Sequence, residues 1–373
     1  MPPAVLPPAR VRGLLVLCLV GLGSFQWLPA RPGSENPQHI EDVYSYSTNP
    51  REAEDLVFVD SNHGWILVSD HLRKGCYLYS TDDGGKTWSG HRAPGGLYKL
   101  AFESVRLGWG LQMPKGPVKP PLTKLLRTET GGETWTHLTS GGLAQANREG
   151  YLPVALGFAS PLSGWIAAAG PENKGLILQT DDGGVSTHRI DAKPQKIGAP
   201  LGMVVRGNAV WVYGVGFALC SQDGGKTWTA VDPAQFGTVP ENFNVSAASL
   251  SEGGRGWLVG NTTKGTILAT EDSGMHWKNA LQTTEAGRFD AVSSWDEEHA
   301  CAIEGPTLLY CTANGGASWN SSDVLPKPQQ EQARFFLKMV MLASGRGWAL
   351  RAGGYLYNTC DGGRSWNLFD PGV

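Results

Sequence analysis

The chain has 373 residues, of which 41% are hydrophobic and 17% charged, and it carries 50 glycines and 14 tryptophans. That is enough apolar material for one large core or two smaller ones, and so many turn-forming glycines beside so much tryptophan point to a turn-rich, all-β chain. A formal net charge of -3 excludes the globally basic surface that nucleic-acid binding demands.

Read from the N-terminus, Arg10 and Arg12 precede an uncharged apolar run from Gly13 to Trp27 and then Leu28-Pro29-Ala30. This is the layout of a secretory signal peptide over residues 1–30, short for a spanning helix; retention as an N-terminal anchor is the alternative reading. Cys18 follows Leu17, not the small residue that a lipoprotein signal wants. Residues 31–54 read as a polar linker in which the alternating Ile40 to Tyr46 stretch is either an added edge strand or plain linker. The location expected is extracytoplasmic: secreted, periplasmic or lumenal.

From residue 55 to 373 one pattern, Ser/Thr-x-Asp-x-Gly-x-Ser/Thr-Trp, recurs. It reads TDDGGKTW at Thr81, TETGGETW at Thr128, TDDGGVST at Thr180, SQDGGKTW at Ser221, TEDSGMHW at Thr270, TANGGASW at Thr312 and TCDGGRSW at Thr359. The spacing of 41 to 52 residues falls among the periods of propellers and solenoids. Upstream of most boxes lies a Gly-Trp or related strand, at Trp65, Trp109, Trp165, Trp211, Trp257 and Trp348, with Ala300-Cys301 standing there in the sixth unit. Before that comes another β-rich stretch, such as Leu56 to Val59 or Leu97 to Phe102. Each unit thus supplies four short strands, and one such meander cannot bury its own faces. Seven of them predict an all-β, seven-bladed propeller of four-stranded antiparallel blades over residues 55–373, each blade drawn from one unit without strand swapping.

The box residues make sense as turn chemistry. Asp83, Asp182, Asp223, Asp272 and Asp361, with Thr130 and Asn314 at the equivalent place, are positioned to accept backbone N–H groups, and the Gly-Gly that follows permits positive φ. Trp88, Trp135, Trp228, Trp277, Trp319 and Trp366 pack between hairpins. Thr130, Thr187 in place of the third tryptophan, and Asn314 depart from the pattern, so the turn at each is an open question on which the blade count does not depend. Asp82-Asp83-Gly84 superficially resembles a calcium loop, but the Asp-x-Asp-x-Asp-Gly run with its closing glutamate is missing. No CxxC pair or neighbouring histidine suggests zinc, so no metal or cofactor is expected.

This repeated signature resembles the BNR/Asp-box repeat superfamily, and within it the single propellers similar to photosystem II stability and assembly factors. The resemblance implies a single propeller that binds a client polypeptide and has no catalytic residues. Sialidases and xyloglucan-active glycosidases share the blades, so a carbohydrate-active hydrolase of the sialidase-like propeller type is the alternative. Against it, the Arg-Ile-Pro motif of sialidases is missing, the nearest string being Arg189-Ile190-Asp191. Glu103, Glu149, Glu241, Asp290 and Glu304 form no recognisable pair of facing carboxylates.

The boxes define one face of such a ring, so ligands are expected on the other. There the loops carry Arg73, Lys74, Lys115, Lys119 and Lys124, with further cations at His91, Arg92, Arg148, Lys193, Lys196, Lys264 and Arg288. The Pro-rich loop Met113 to Pro121 is stiffened toward polyproline geometry. The box face carries acids such as Asp82, Glu129 and Glu271. The expected partner is therefore a client protein or peptide, acidic in character, with carbohydrate ranking behind it, and the protein is expected to be a monomer. Cys301 and Cys311 fall opposite one another in one hairpin, within disulfide reach, and Cys76 with Cys360 offers a second pairing between the first and last blades.

Overall fold

The computed structural model describes residues 51–70, 75–113, 122–190, 197–231, 243–261, 263–327 and 335–371. The signal-peptide and edge-strand expectations and the linker up to residue 50 lie outside them, as do Arg73, Lys74, Lys115, Lys119, Lys193, Lys196 and Glu241; residues 51–54, expected as linker, instead open the first inner strand, where Arg51 to Ala53 pair with Val68 to Asp70. The described residues form seven four-stranded antiparallel sheets, each in plain up-and-down order from one contiguous segment. The inner strands are Arg51–Phe58, Leu97–Phe102, Leu152–Phe158, Pro200–Arg206, Asn244–Leu250, Phe289–Ser294 and Phe336–Met341. They stand around a central channel of about 1300 Å³.

The box turns form as their chemistry requires. In the first, the Thr81 hydroxyl donates to Asp83 Oδ1 at 2.9 Å and accepts the Gly85 N–H at 2.8 Å, while the Thr87 hydroxyl donates to Asp83 Oδ2 at 2.7 Å. Gly85 has φ +77°, and a Cβ there would come within 2.2 Å of the Trp348 ring of the neighbouring blade. A glycine is needed at that point for both reasons. Thr130 and Asn314 keep the same turn with neutral oxygens, accepting the Thr134 and Ser318 N–H groups at 2.9 Å each.

Tryptophan of the second strand joins blades. Trp65, Trp109 and Trp211 each donate Nε1–H to a box carbonyl of the following blade, Gly131, Gly183 and Ser273 respectively, at 2.8 to 3.0 Å. Phe102 stacks on Trp65 and Phe158 on Trp109, with centroids 3.7 and 3.5 Å apart. Phe58 stacks on Trp348 at 4.8 Å, so the last blade meets the first by the same device. That seam is completed by the Ala53 N–H to Gly354 carbonyl bond at 2.9 Å and the Arg51–Asp370 ion pair at 2.7 Å.

Blade 6 lacks the joining tryptophan. Cys301 takes its place and is disulfide-bonded to Cys311, the directly paired residue of the next strand, with Cα atoms 4.1 Å apart. Cys76 and Cys360 do not pair: Cys76 is buried toward blade 2, among Trp65, Leu97 and Leu100, whereas Cys360 is exposed in the last box.

Blade 3 lacks the box tryptophan for a visible reason. The helix Gly141–Arg148, in the connection from blade 2, buries Leu143 and Ala146 against Trp109, Leu125 and Leu178. Thr187 accepts the Leu143 N–H at 3.0 Å and bonds the Ser140 hydroxyl.

Candidate functional site

Every inner strand carries a β-bulge at the same point of its pairing with the second strand. The residues just past it, Asp55, Lys99, Ala155, Gly202, Ala247, Ala291 and Lys338, therefore make one layer of the channel wall. Each inner strand starts on the face opposite the boxes, so this layer lies toward that mouth. Bulges re-aim side chains, and here three adjacent blades, the last, first and second, present charge while the other four present a methyl group or nothing.

Asp55 is 1% exposed. Its Oδ1 accepts the Lys338 ammonium at 2.8 Å and the Leu56 N–H at 2.9 Å, and its Oδ2 accepts the Leu100 N–H at 3.0 Å. Burial alone would raise this carboxyl, but Lys338 and Lys99 together hold it below the ordinary range. Lys99 is half-buried, and burial lowers its ammonium against the pull of Asp55. Glu54 also attracts it, and Lys338 repels it.

A second buried carboxylate, Asp290, occupies the bulge of blade 6 and is 3% exposed. Arg288 donates to it at 2.6 Å and the Phe336 N–H at 3.2 Å. Burial nonetheless pushes it up to about 6. Arg351 is fully buried between the Phe336 and Tyr357 rings, 4.2 and 5.1 Å from their centroids, and donates to the Pro306 and Pro326 carbonyls.

Of the cations expected on the face opposite the boxes, those among the described residues take different places. Lys124 is exposed at the start of its strand on the face opposite the boxes. His91 and Arg92 instead lie within the outer strand Ser89–Ala93, where His91 Nε2 contacts the Gly132 carbonyl at 2.8 Å and so ties two blades together. Arg288 turns into the channel mouth, with its guanidinium 4.3 Å from the Phe335 ring centroid. The box face is less acidic than its boxes suggest, because Arg127 pairs with Glu129 at 2.9 Å and Lys278 with Glu271 at 2.6 Å.

Among the lone acids, Glu149 pairs with Arg189 at 3.0 Å, Glu304 is buried in blade 6 and Glu103 closes a turn with Leu107. Among the described residues no cluster of His, Cys, Asp and Glu is arranged to hold a metal ion. No helix among them is long and apolar enough to cross a membrane.

Asp55, Lys99 and Lys338 were not singled out by sequence reasoning. A signal existed: each lies nine residues before the first residue of the Gly-Trp pair of its unit, at Gly64, Gly108 and Gly347.

Comparison with known proteins places the chain among similar folds. A family profile described as photosynthesis system II assembly factor YCF48 matches residues 235–368. YCF48 bound to D1 peptide is 18% identical, with a TM-score of 0.55 over 83% of this chain and 96% of that one. YCF48 from Cyanidioschyzon merolae is 19% identical, with a TM-score of 0.56 over 83% and 95%. An ancestral GH74 enzyme is 13% identical, with a TM-score of 0.54 over 87% of this chain but 47% of its own length. No curated protein matches the sequence.

Proposed function

We propose, from the premise that the chain is a seven-bladed propeller of the BNR/Asp-box type similar to photosystem II assembly factor-like single propellers, that it is a non-catalytic binding protein for a client polypeptide. The client would be captured on the face opposite the boxes. One observation carries this reading. Both buried channel carboxylates, Asp55 and Asp290, are tied to a cation and to backbone N–H groups, so neither is poised as one of the two facing acids that a glycosidase needs. The same face exposes large apolar side chains, Leu122 and Phe335, beside Lys124 and Arg288. That mixture suits a polypeptide with apolar and acidic residues. The solved YCF48 complex with a D1 peptide lends support by likeness of fold.

An extracytoplasmic location is part of the proposal, supported by the Cys301–Cys311 disulfide and by the apolar N-terminal run. A monomer is supported by outer strands that are short, only two residues each in three blades, which leaves little edge for pairing between copies.

The test is crosslinking capture in the native host with wild-type protein and with a variant in which Arg73, Lys74, Lys115, Lys119 and Lys124 are all alanine. The variant is expected to lose most of a defined client while keeping the wild-type melting temperature. Undiminished capture would remove the assignment of the face, and hydrolysis of a glycan by the wild type would remove the non-catalytic reading.

A further inference from the structure

The inner strand of every blade is also the edge of its sheet, so the backbone groups on its channel side pair with no strand. In most blades a nearby side chain covers some of them. Asp55 accepts the Leu56 and Leu100 N–H groups, Asp290 that of Phe336, Ser293 that of Met341 and Ser249 that of Ser294. The Tyr213 hydroxyl, lying over Gly202, meets the backbone of Ala248. These side chains cap the first, second, fifth, sixth and seventh inner strands, and an edge without such a cap is open to a further strand.

The third and fourth strands are the exceptions, and they differ in access. Of the third, only Val154, Ala155 and Leu156 line the channel, whereas the fourth lines it from Leu201 to Arg206. In Pro200–Arg206, Arg206 opposite Ala209 and Val204 opposite Trp211 are the hydrogen-bonded pairs that lead out of a two-residue turn, so the N–H and C=O of Met203 and Val205 face the channel. Among the described residues nothing bonds these groups, and Met203 to Val205 are all partly exposed. The space suffices for one more strand: about 1300 Å³ spread over the roughly 20 Å of six extended residues gives on the order of 65 Å² of cross-section, against about 50 Å² for one chain at sheet spacing. Across the ring, three blades away on either side, stand Lys338 and Asp55, with Lys99 beside them. Among the described residues Lys99 makes no hydrogen bond and no ion pair within 4.0 Å, and Asp55 and Glu54 act on it only from farther away.

We propose that an extended segment of the client polypeptide enters the channel from the mouth opposite the boxes and adds to the fourth blade as an innermost, fifth strand, pairing with Met203 and Val205. The inference deepens the reading of the chain as a client-binding protein and rests on it. The walls set the chemistry of the segment. Ala155 and Leu156 on one side and Ala247 on the other favour small apolar side chains. Lys99 and Lys338 donate to the carbonyls of the segment's outer edge and to one acidic residue, since with Arg288 they outnumber the carboxylates Asp55 and Asp290. A helix would leave the Met203 and Val205 groups unpaired, because its own backbone bonds are internal; strand addition satisfies them.

The experiment uses the folded full-length protein and a blocked hexapeptide of alternating alanine and valine that ends in aspartate amide. Its control is the same peptide methylated on every amide nitrogen, which cannot donate to a strand edge. Calorimetry is expected to find saturable binding of the first and at least about tenfold weaker binding of the second. Met203→Pro removes a channel-side N–H without touching a ladder bond, so it should weaken binding by about tenfold or more, and Met203→Ala, which keeps the N–H, by less. In the wild type the peptide should also slow amide exchange at Met203 and Val205 by at least about tenfold, a readout that stands even where Met203→Pro fails to fold. Absence of saturable binding, equal binding of the methylated peptide, equal weakening by folded Met203→Pro and Met203→Ala, or unslowed exchange at Met203 and Val205 with peptide bound would overturn the proposal. Capture of the native client is read with the loop variant. Undiminished capture there with peptide binding intact removes the loop face alone, and the reverse outcome removes the channel strand alone.

Discussion

Asp223 accepts three bonds that an alanine cannot: the Ser221 hydroxyl at 2.9 Å, the Thr227 N–H at 2.9 Å and the Thr227 hydroxyl at 2.6 Å. Because the turn is partly open to solvent, Asp223→Ala should cost about 1 to 2 kcal/mol in urea denaturation, not the sum of the bonds. The same bonds set the response to acid. Bonds from Ser186, Thr227 and Ser365 hold Asp182, Asp223 and Asp361 at about 2. Asp272 reaches about 2 against burial, through His276. In the unfolded chain each would titrate near about 4. Folded-state values are depressed, so their stabilisation is complete above about pH 4 and is lost as pH falls through about 2. Thermal melts at falling pH should show this loss, and Asp223→Asn should blunt it, since an amide keeps acceptor oxygen without a titrating charge, as Asn314 does. This level of the molecule was legible in the sequence, because an acid two residues past a hydroxyl and just before glycines admits few conformations. The channel layer was not. Asp55, Lys99 and Lys338 sit in ordinary strand sequence, and their shared distance of nine residues to the Gly-Trp pair gains meaning only once the bulge places them in one layer.

At the scale of elements, each departure from the repeat coincides with a local substitute. Thr187 stands where other boxes have tryptophan because the helix Gly141–Arg148 occupies that space, with Gly142 so near that a Cβ would lie 2.1 Å from the Thr187 carbonyl. Thr187→Trp, which restores the repeat, is therefore expected to destabilise the protein, and by more than Thr187→Val, which removes two hydrogen bonds and should cost roughly 1 to 3 kcal/mol. A Thr187→Trp variant with an unchanged or raised melting temperature would contradict this packing account. The helix itself was not foreseen from the sequence, and its buried Leu143 and Ala146 emerge only in the structure. The Ala300-Cys301 substitution was visible, and so was its partner, because the hairpin between them is short enough to fix the register.

For the whole molecule, no strand of the last blade comes from the start of the chain among the described residues, so closure rests on side chains together with the Ala53 N–H to Gly354 carbonyl bond. Trp348 is 1% exposed and contacts Phe58 and Trp88 of the first blade. Trp348→Ala should cost about 3 to 5 kcal/mol, and hydrogen exchange should rise first in the strands Arg51–Phe58 and Phe336–Met341. Uniform exchange across all blades would instead mean that the ring opens elsewhere. The blade count and order were readable from seven evenly spaced boxes, whereas the closing contacts join residues some three hundred positions apart and leave no local mark.

Arg51 and Asp370, at opposite ends of the described chain, touch at 2.7 Å, and every sheet between them is contiguous. A short peptide bridging those two points would turn the backbone into a loop without crossing any hydrogen-bonded ladder. Circular permutants with new ends cut between any two neighbouring sheets should therefore retain all seven, so the order of units along the gene is a convention and their cyclic order is what the architecture keeps.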